Sequence, residues 1–176
     1  MTQTQAQSGA IAQFPLVGRW IITAMPGGWI YVANFGIRQM TLDARAVVAS
    51  VGLGQDEFSA ENKIADYIEK QKELIGGRLK DAKFAGPQAV AFSGAEEAHL
   101  LFVRHTMDAV GSMLHAQTYV RLGGWLGIIT LTTLEAQLNA VRPDYDSFVK
   151  GLRIGPQPSS GAPGGVTWSE PSKEKS

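Results

Sequence analysis

No cysteine occurs in the 176 residues, which removes disulfides, thiolate metal sites and cysteine nucleophiles together. Charge of one sign is missing as well. Sixteen Lys and Arg balance 16 Asp and Glu, and charged residues make up 18% of the chain. A nucleic-acid binder ordinarily carries a basic excess, because neutralising phosphates supplies much of its affinity. The balance here argues against a nucleic-acid partner. Long apolar runs are also scarce. The greasiest stretch, "WIITAMPGGWIYVANFGI" at 20–37, is broken by Pro26, Gly27 and Gly28 and falls short of the ~20 uninterrupted residues a spanning helix needs. No stable membrane insertion is expected. The opening "MTQTQAQSGAIAQFPLVGRW" lacks the order of a secretory signal, a basic segment followed by an apolar run. The expected location is therefore cytoplasmic.

Catalytic strings are missing too. The glycine pairs 27–28, 76–77, 123–124 and 164–165 fit neither a phosphate-cradling loop nor a dinucleotide fingerprint, and no Gly-x-Ser-x-Gly elbow appears. The reading is a protein without catalytic residues, cofactor or metal.

What the chain does have is apolar patterning. At 44% hydrophobic it can bury the core of one domain. Residues 1–14 are rich in Gln, Thr and Ser, and the tail 155–176 in Pro, Gly and Ser; both are expected to be disordered. A single domain at 15–154 lies between them. Within it, 19–25, 29–35 and 45–53 read as strands. Ser59 offers an N-cap to a long helix, in which Ile64, Tyr67, Ile68, Leu74, Ile75 and Leu79 recur at helical spacing. Period-two patterns then predict four strands at 87–94, 97–106, 112–122 and 125–134. A closing helix follows at 142–152, with Pro143 in its first turn and Tyr145, Phe148, Val149 and Leu152 on one face. Connections this short force antiparallel pairing. The expected fold is α+β: an antiparallel sheet of about six to seven strands, packed by one long helix and a short C-terminal helix.

The hairpin "HAQTYVRLGGWLGIITLTTL" (115–134) is the informative segment. A two-residue turn at Gly123–Gly124 pairs 122 with 125, 120 with 127, 118 with 129 and 116 with 131. One face, with Ala116, Val120, Leu122, Trp125, Ile129 and Leu131, reads as core against the long helix. The other carries His115, Gln117, Tyr119, Leu126, Ile128 and Thr130. That face is too apolar for water and too polar for a closed core. Either it receives an apolar guest that needs some hydrogen bonds, or the closing helix or N-terminal strands cover it.

The titratable clusters are weaker signals. His99, His105 and His115 share a face if 105 pairs with 113, yet His105 and His115 would then lie diagonally, an awkward separation for one metal. Glu96–Glu97 beside a turn and Asp144 and Asp146 on a helix are explained by solvation and the helix dipole.

The order of elements from about 42 to 154 resembles the DcrB-like, PsbP-type α+β family. The similar segments are "RAVVASV", "ENKIADYIEKQKELI", "FAGPQAVAFSG", the hairpin with its strand glutamine, and "YDSFVKGLRI". Cytoplasmic relatives of that family include the Eag chaperones of type VI secretion, dimers that wrap the hydrophobic N-terminal segments of effectors. The resemblance implies a homodimeric, non-enzymatic chaperone or adaptor whose partner is such a segment of a client, with Gln117 matching the family's glutamine. Trp29 follows two glycines without the Asp that these chaperones usually carry, and the tail is extra. The PsbP-type branch implies an alternative, an accessory protein of a larger assembly that binds through loops and the tail with Trp168.

Overall fold

The computed structural model describes residues 18–32, 36–41, 48–59 and 61–156. Its elements run β1 (Trp20–Ile22), β2 (Trp29–Val32), β3 (Gly36–Gln39), β4 (Ser50–Glu57), α1 (Ile64–Gly76), β5 (Lys83–Ala89), β6 (Glu97–Met107), β7 (Gly111–Leu122), β8 (Trp125–Leu134), a 3-10 turn (Glu135–Gln137), α2 (Leu138–Gly151) and β9 (Leu152–Ile154). Seven strands make one antiparallel sheet in the order β2-β3-β4-β8-β7-β6-β5, while β1 and β9 form a separate ribbon. The α+β class and the seven-stranded antiparallel sheet agree with the sequence reading, whereas the separate β1–β9 ribbon was not expected.

The hairpin register is the expected one. Leu122 faces Trp125, Val120 faces Gly127, Thr118 faces Ile129 and Ala116 faces Leu131. Alternate residues therefore line two faces. On the inner face Ala116, Val120, Ile129 and Leu131 join Ile37, Val51 and Leu53 in one buried cluster.

The element that closes this face differs from expectation. It is not the long helix but α2, through Val141 and Phe148, together with Trp20, Ile22 and Leu152 of the β1–β9 ribbon. Gly127 makes room for this roof. A Cβ there would strike the rings of Trp20 and Trp125, which meet edge to face with centroids 5.1 Å apart. The Trp20 indole N–H then reaches the Gly54 carbonyl at 2.9 Å.

Several boundaries move for physical reasons. The long helix begins at Ile64 with Lys63 as its N-cap and no side-chain cap. Ser59 instead holds a turn, its carbonyl accepting from the Asn62 N–H and its hydroxyl from the Glu61 N–H. The first helical residue is thus the first one with a core to enter: Ile64 is 1% exposed.

At the other end α2 starts a turn early, which leaves Pro143 inside the helix. Interior proline costs about 3 kcal/mol. Burying Val141 and much of Leu138 offsets a similar amount, at roughly 1.5–3 kcal/mol per large side chain fully buried. Strand β5 lies at 83–89, upstream of the expected 87–94, and shifts register between Ala85 and Gln88. It is the sheet's edge, where a proline such as Pro87 is tolerated. The fold also extends past 154. Gly155 is buried, its N–H donating to the Arg19 carbonyl and its own carbonyl accepting from Arg19 Nε. The segments 1–14 and 157–176, with Trp168, lie outside the described residues.

Candidate functional site

The outer face gathers His115, Gln117, Tyr119, Leu126, Ile128 and Thr130 through the register of β7 and β8. It is not vacant throughout. Helix α1 lies across part of it, so that Tyr119 is 1% and Leu126 0% exposed. Both pack with Phe58, Ile64, Ile68, Leu101 and Val103. These two are therefore removed from the residues a partner could touch. The cause is the apolar stripe of α1, which needs a surface to bury. The inner face is already taken by α2 and the ribbon.

Polar groups under the helix are mostly satisfied internally. The Tyr119 hydroxyl donates to Gln117 Oε1 at 2.7 Å, and the Tyr67 hydroxyl donates to Asp56 Oδ2 at 3.1 Å. The two rings meet edge to face at 6.0 Å. Burial, reinforced by the Asp56 carboxylate, pushes the Tyr67 phenol up to about 12. Burial first, and Tyr67 second, raises Tyr119 as well. A phenol held this firmly protonated is a hydrogen-bond donor and not a base.

Beyond the reach of α1 the sheet carries a shallow hollow of about 400 Å³, lined by Val32, Arg38, Ser50, Gly52, Thr130 and Thr132 among others. Ser50, Gly52 and Gly54 of β4 lie opposite Thr132, Thr130 and Ile128 of β8. The floor is thus small or hydroxyl-bearing. Half-buried Ile128, two residues before Thr130 on the same face, packs against the α1 cluster. Val32, Ser50, Gly52 and Arg38 were not anticipated from the sequence. The glycines at 52 and 54, alternating with Val51 and Leu53, were the available signal, but only the pairing of β4 with β8 places them beside Thr130.

The histidines adopt the register in which His105 faces Met113. His99 turns to Glu97, with Nε2 2.8 Å from Oε1. His105 and His115 approach nitrogen to nitrogen, Nε2 to Nε2 at 3.0 Å, and His115 Nδ1 lies 2.9 Å from the Thr132 hydroxyl. Among the described residues no group of three or more His, Asp or Glu could hold a metal ion.

The acidic pairs serve structure. Arg121 sits between Glu96 and Glu97 at 3.5 and 3.6 Å. Asp144 accepts the Trp29 indole N–H at 2.8 Å, and Asp146 meets Arg142 at 3.8 Å. A second hollow of about 490 Å³, by Gly18, Asp56, Glu57 and Gly124, is likewise committed. Gln55 Oε1 there accepts from the Arg19 backbone N–H and the Trp125 indole. None of these sites aligns a nucleophile with a base. Among the described residues no helix is long and apolar enough to cross a membrane.

No family model matches the chain, and no curated protein matches it in sequence. Solved structures do. PA94 from Pseudomonas aeruginosa, a protein of unknown function, has a TM-score of 0.54 at 23% identity, over 65% of this chain and 78% of its own. LpqN, involved in cell envelope biogenesis of Mycobacterium tuberculosis, gives 0.58 at 11% identity, over 78% and 83%. The cyanobacterial PsbP of Synechocystis gives 0.54 at 15% identity, over 86% and 98%. At these identities the likeness is one of fold, and the chain shares the α+β architecture of these structures.

Proposed function

We propose that the protein is a non-enzymatic chaperone or adaptor of the cytoplasm. Acting as a homodimer, it shelters an apolar, transmembrane-like segment at the N-terminus of a client, such as a type VI secretion effector. The observation that carries this reading is the hollow that α1 leaves uncovered on the outer face. Its floor of Ser50, Gly52, Thr130 and Thr132 lets a helix backbone come close, and the Thr130 hydroxyl can satisfy a carbonyl that an apolar segment cannot satisfy elsewhere. Arg38 at the rim suits the carbonyl-bearing C-terminal end of such a helix. The docking residues are thus Thr130 and Thr132 with Ile128 at the edge, and Gln117 and His115 border them.

The test is binding of a fluorescent apolar helical peptide of about 20 residues, long enough to span a bilayer, to the full chain. Thr130→Asp should weaken capture at least tenfold while shifting stability by about 1 kcal/mol, the span of strand propensity. Equal affinity of the variant, or no capture by the unmodified protein, overturns the reading. Binding that survives this substitution but disappears on removal of 157–176 would transfer the function to the tail.

A further inference from the structure

The His105–His115 pair borders the docking residues drawn above, and its geometry is specific. The ring planes lie within 5° of each other with centroids 5.1 Å apart, while the two Nε2 atoms are only 3.0 Å apart. Centroids so much further apart than the nitrogens mean that the rings meet edge to edge and do not overlap face to face. One nitrogen must donate and the other accept, because two N–H groups cannot face each other at hydrogen-bond distance. On its far side His115 Nδ1 meets the Thr132 hydroxyl. A relay therefore runs from β6 through β7 to β8 and ends in a residue that lines the open hollow.

We propose that His105 and His115 form an acid-labile latch that pins the outer sheet face beside the end of α1 at neutral pH and releases it when both rings are protonated. The arrangement tolerates one excess proton. His115 can then donate from Nδ1 to Thr132 and from Nε2 to His105, leaving every nitrogen at the contact satisfied. A second proton puts N–H against N–H and two like charges 3.0 Å apart, so the rings must separate.

The surroundings offer little to hold that second charge. From α1 and the turn after it, Ile75 and Leu79 form the wall over His115, with Val103 and Gln117 beside them. From β8 comes only the neutral Thr132. His105, itself buried, shares a hollow with Asp81, Lys83, Arg104, Thr106, Ser112 and Glu135. In that hollow Glu135 is engaged by Arg104 at 2.7 Å and by the Ser112 hydroxyl, and the one further carboxylate, Asp81, lines it together with the cations Lys83 and Arg104. Burial and the neighbouring His105 lower the pKa of His115.

The sign follows from proton counts. Below pH ~6.5 the unfolded chain charges both imidazoles, whereas the closed pair carries one proton at most. Stability from the latch is therefore complete above that pH and lost as pH falls, with the folding constant dropping about tenfold per pH unit for each proton the closed pair excludes. The opening would expose Gln117 and Thr132 together.

The latch does not depend on the docking proposal, and its test needs no client. Long-range nitrogen–proton NMR of the full chain from pH 7.5 to 5 should show one shared N–H at the pair. The second proton should be bound only as the β6, β7 and α1 resonances near the pair shift. Urea titrations over the same range should give a steeper loss of stability for the unmodified protein than for His105→Gln, in which an uncharged amide can turn its carbonyl oxygen towards a protonated His115. Two protonated rings below pH 5.5 with these resonances unmoved would overturn the latch. So would identical pH dependence of protein and variant. If His105→Gln fails to fold, the spectra of the unmodified protein decide alone.

Discussion

On the inner face of the seven-stranded sheet, Ala116, Val120, Ile129 and Leu131 lie beneath α2 and the β1–β9 ribbon. On the outer face α1 covers Tyr119 and Leu126 but leaves a hollow beside Thr130 and Thr132. Both faces belong to the same strands, with one residue of each neighbouring pair assigned to each side. The inner roof is aromatic and aliphatic, built around Trp20 and Phe148 and fitted over Gly127. The outer lid is a 13-residue helix, and a helix ~10–12 Å across with its side chains cannot span seven strands set ≈ 4.8 Å apart. The difference is one of closure: one face is roofed by two elements, while part of the other is left uncovered, which is the part the docking proposal uses.

That comparison can be broken most forcefully on the inner side. Phe148→Ala, at a position with no exposure, should cost about 3–5 kcal/mol, read as the shift in urea midpoint. A loss under about 1 kcal/mol would mean that α2 is not the roof. Leu126→Ala asks whether the covered part of the outer face is equally a core. Its expected cost is roughly 2–4 kcal/mol, and a negligible loss would show α1 to be loosely seated.

A titration sharpens the same point without mutation. Absorbance of the phenolates should show Tyr67 ionising near pH 12, well above the ~10 of a solvated tyrosine. Because the folded pKa is raised, the stability this phenol contributes is intact below pH ~10 and lost as pH climbs towards 12. Ionisation of Tyr67 near pH 10 in the folded protein would mean that the lid opens readily. The smallest stability effect belongs to Thr130→Asp, about 1 kcal/mol, where the loss should appear in peptide capture instead.

Much of the sheet was legible. The register of β7 on β8 follows from a local device, since two glycines at 123–124 leave one way to pair the flanking strands, and alternation then assigns each residue a side. The β6–β7 register that sets His105 opposite Met113 was likewise available as one of two choices. The closure of each face was not. An amphipathic helix announces that it must bury Ile64 and Ile68, but its spacing says nothing about which sheet face will receive them. The long helix was expected on the inner face and lies on the outer. Pro143 misled at the last helix, because its local cost was read without the gain from burying Val141 two residues upstream. The mixed face at Tyr119 and Leu126 could be read as vacant or as covered for a related reason: a tyrosine hydroxyl and a glutamine fit an open surface until each is seen to be the other's partner.

By itself the sequence determined the strand periods, the hairpin turn, the antiparallel order and the absence of thiol chemistry. These are set by interactions between residues close in the chain or by composition. The tertiary structure decided which helix covers which face, that β4 brings Gly52 and Ser50 beside Thr130 and Thr132, and that two histidines ten residues apart meet at their nitrogens. Those outcomes depend on competition between distant apolar surfaces for the same cover, and only the folded chain resolves that competition.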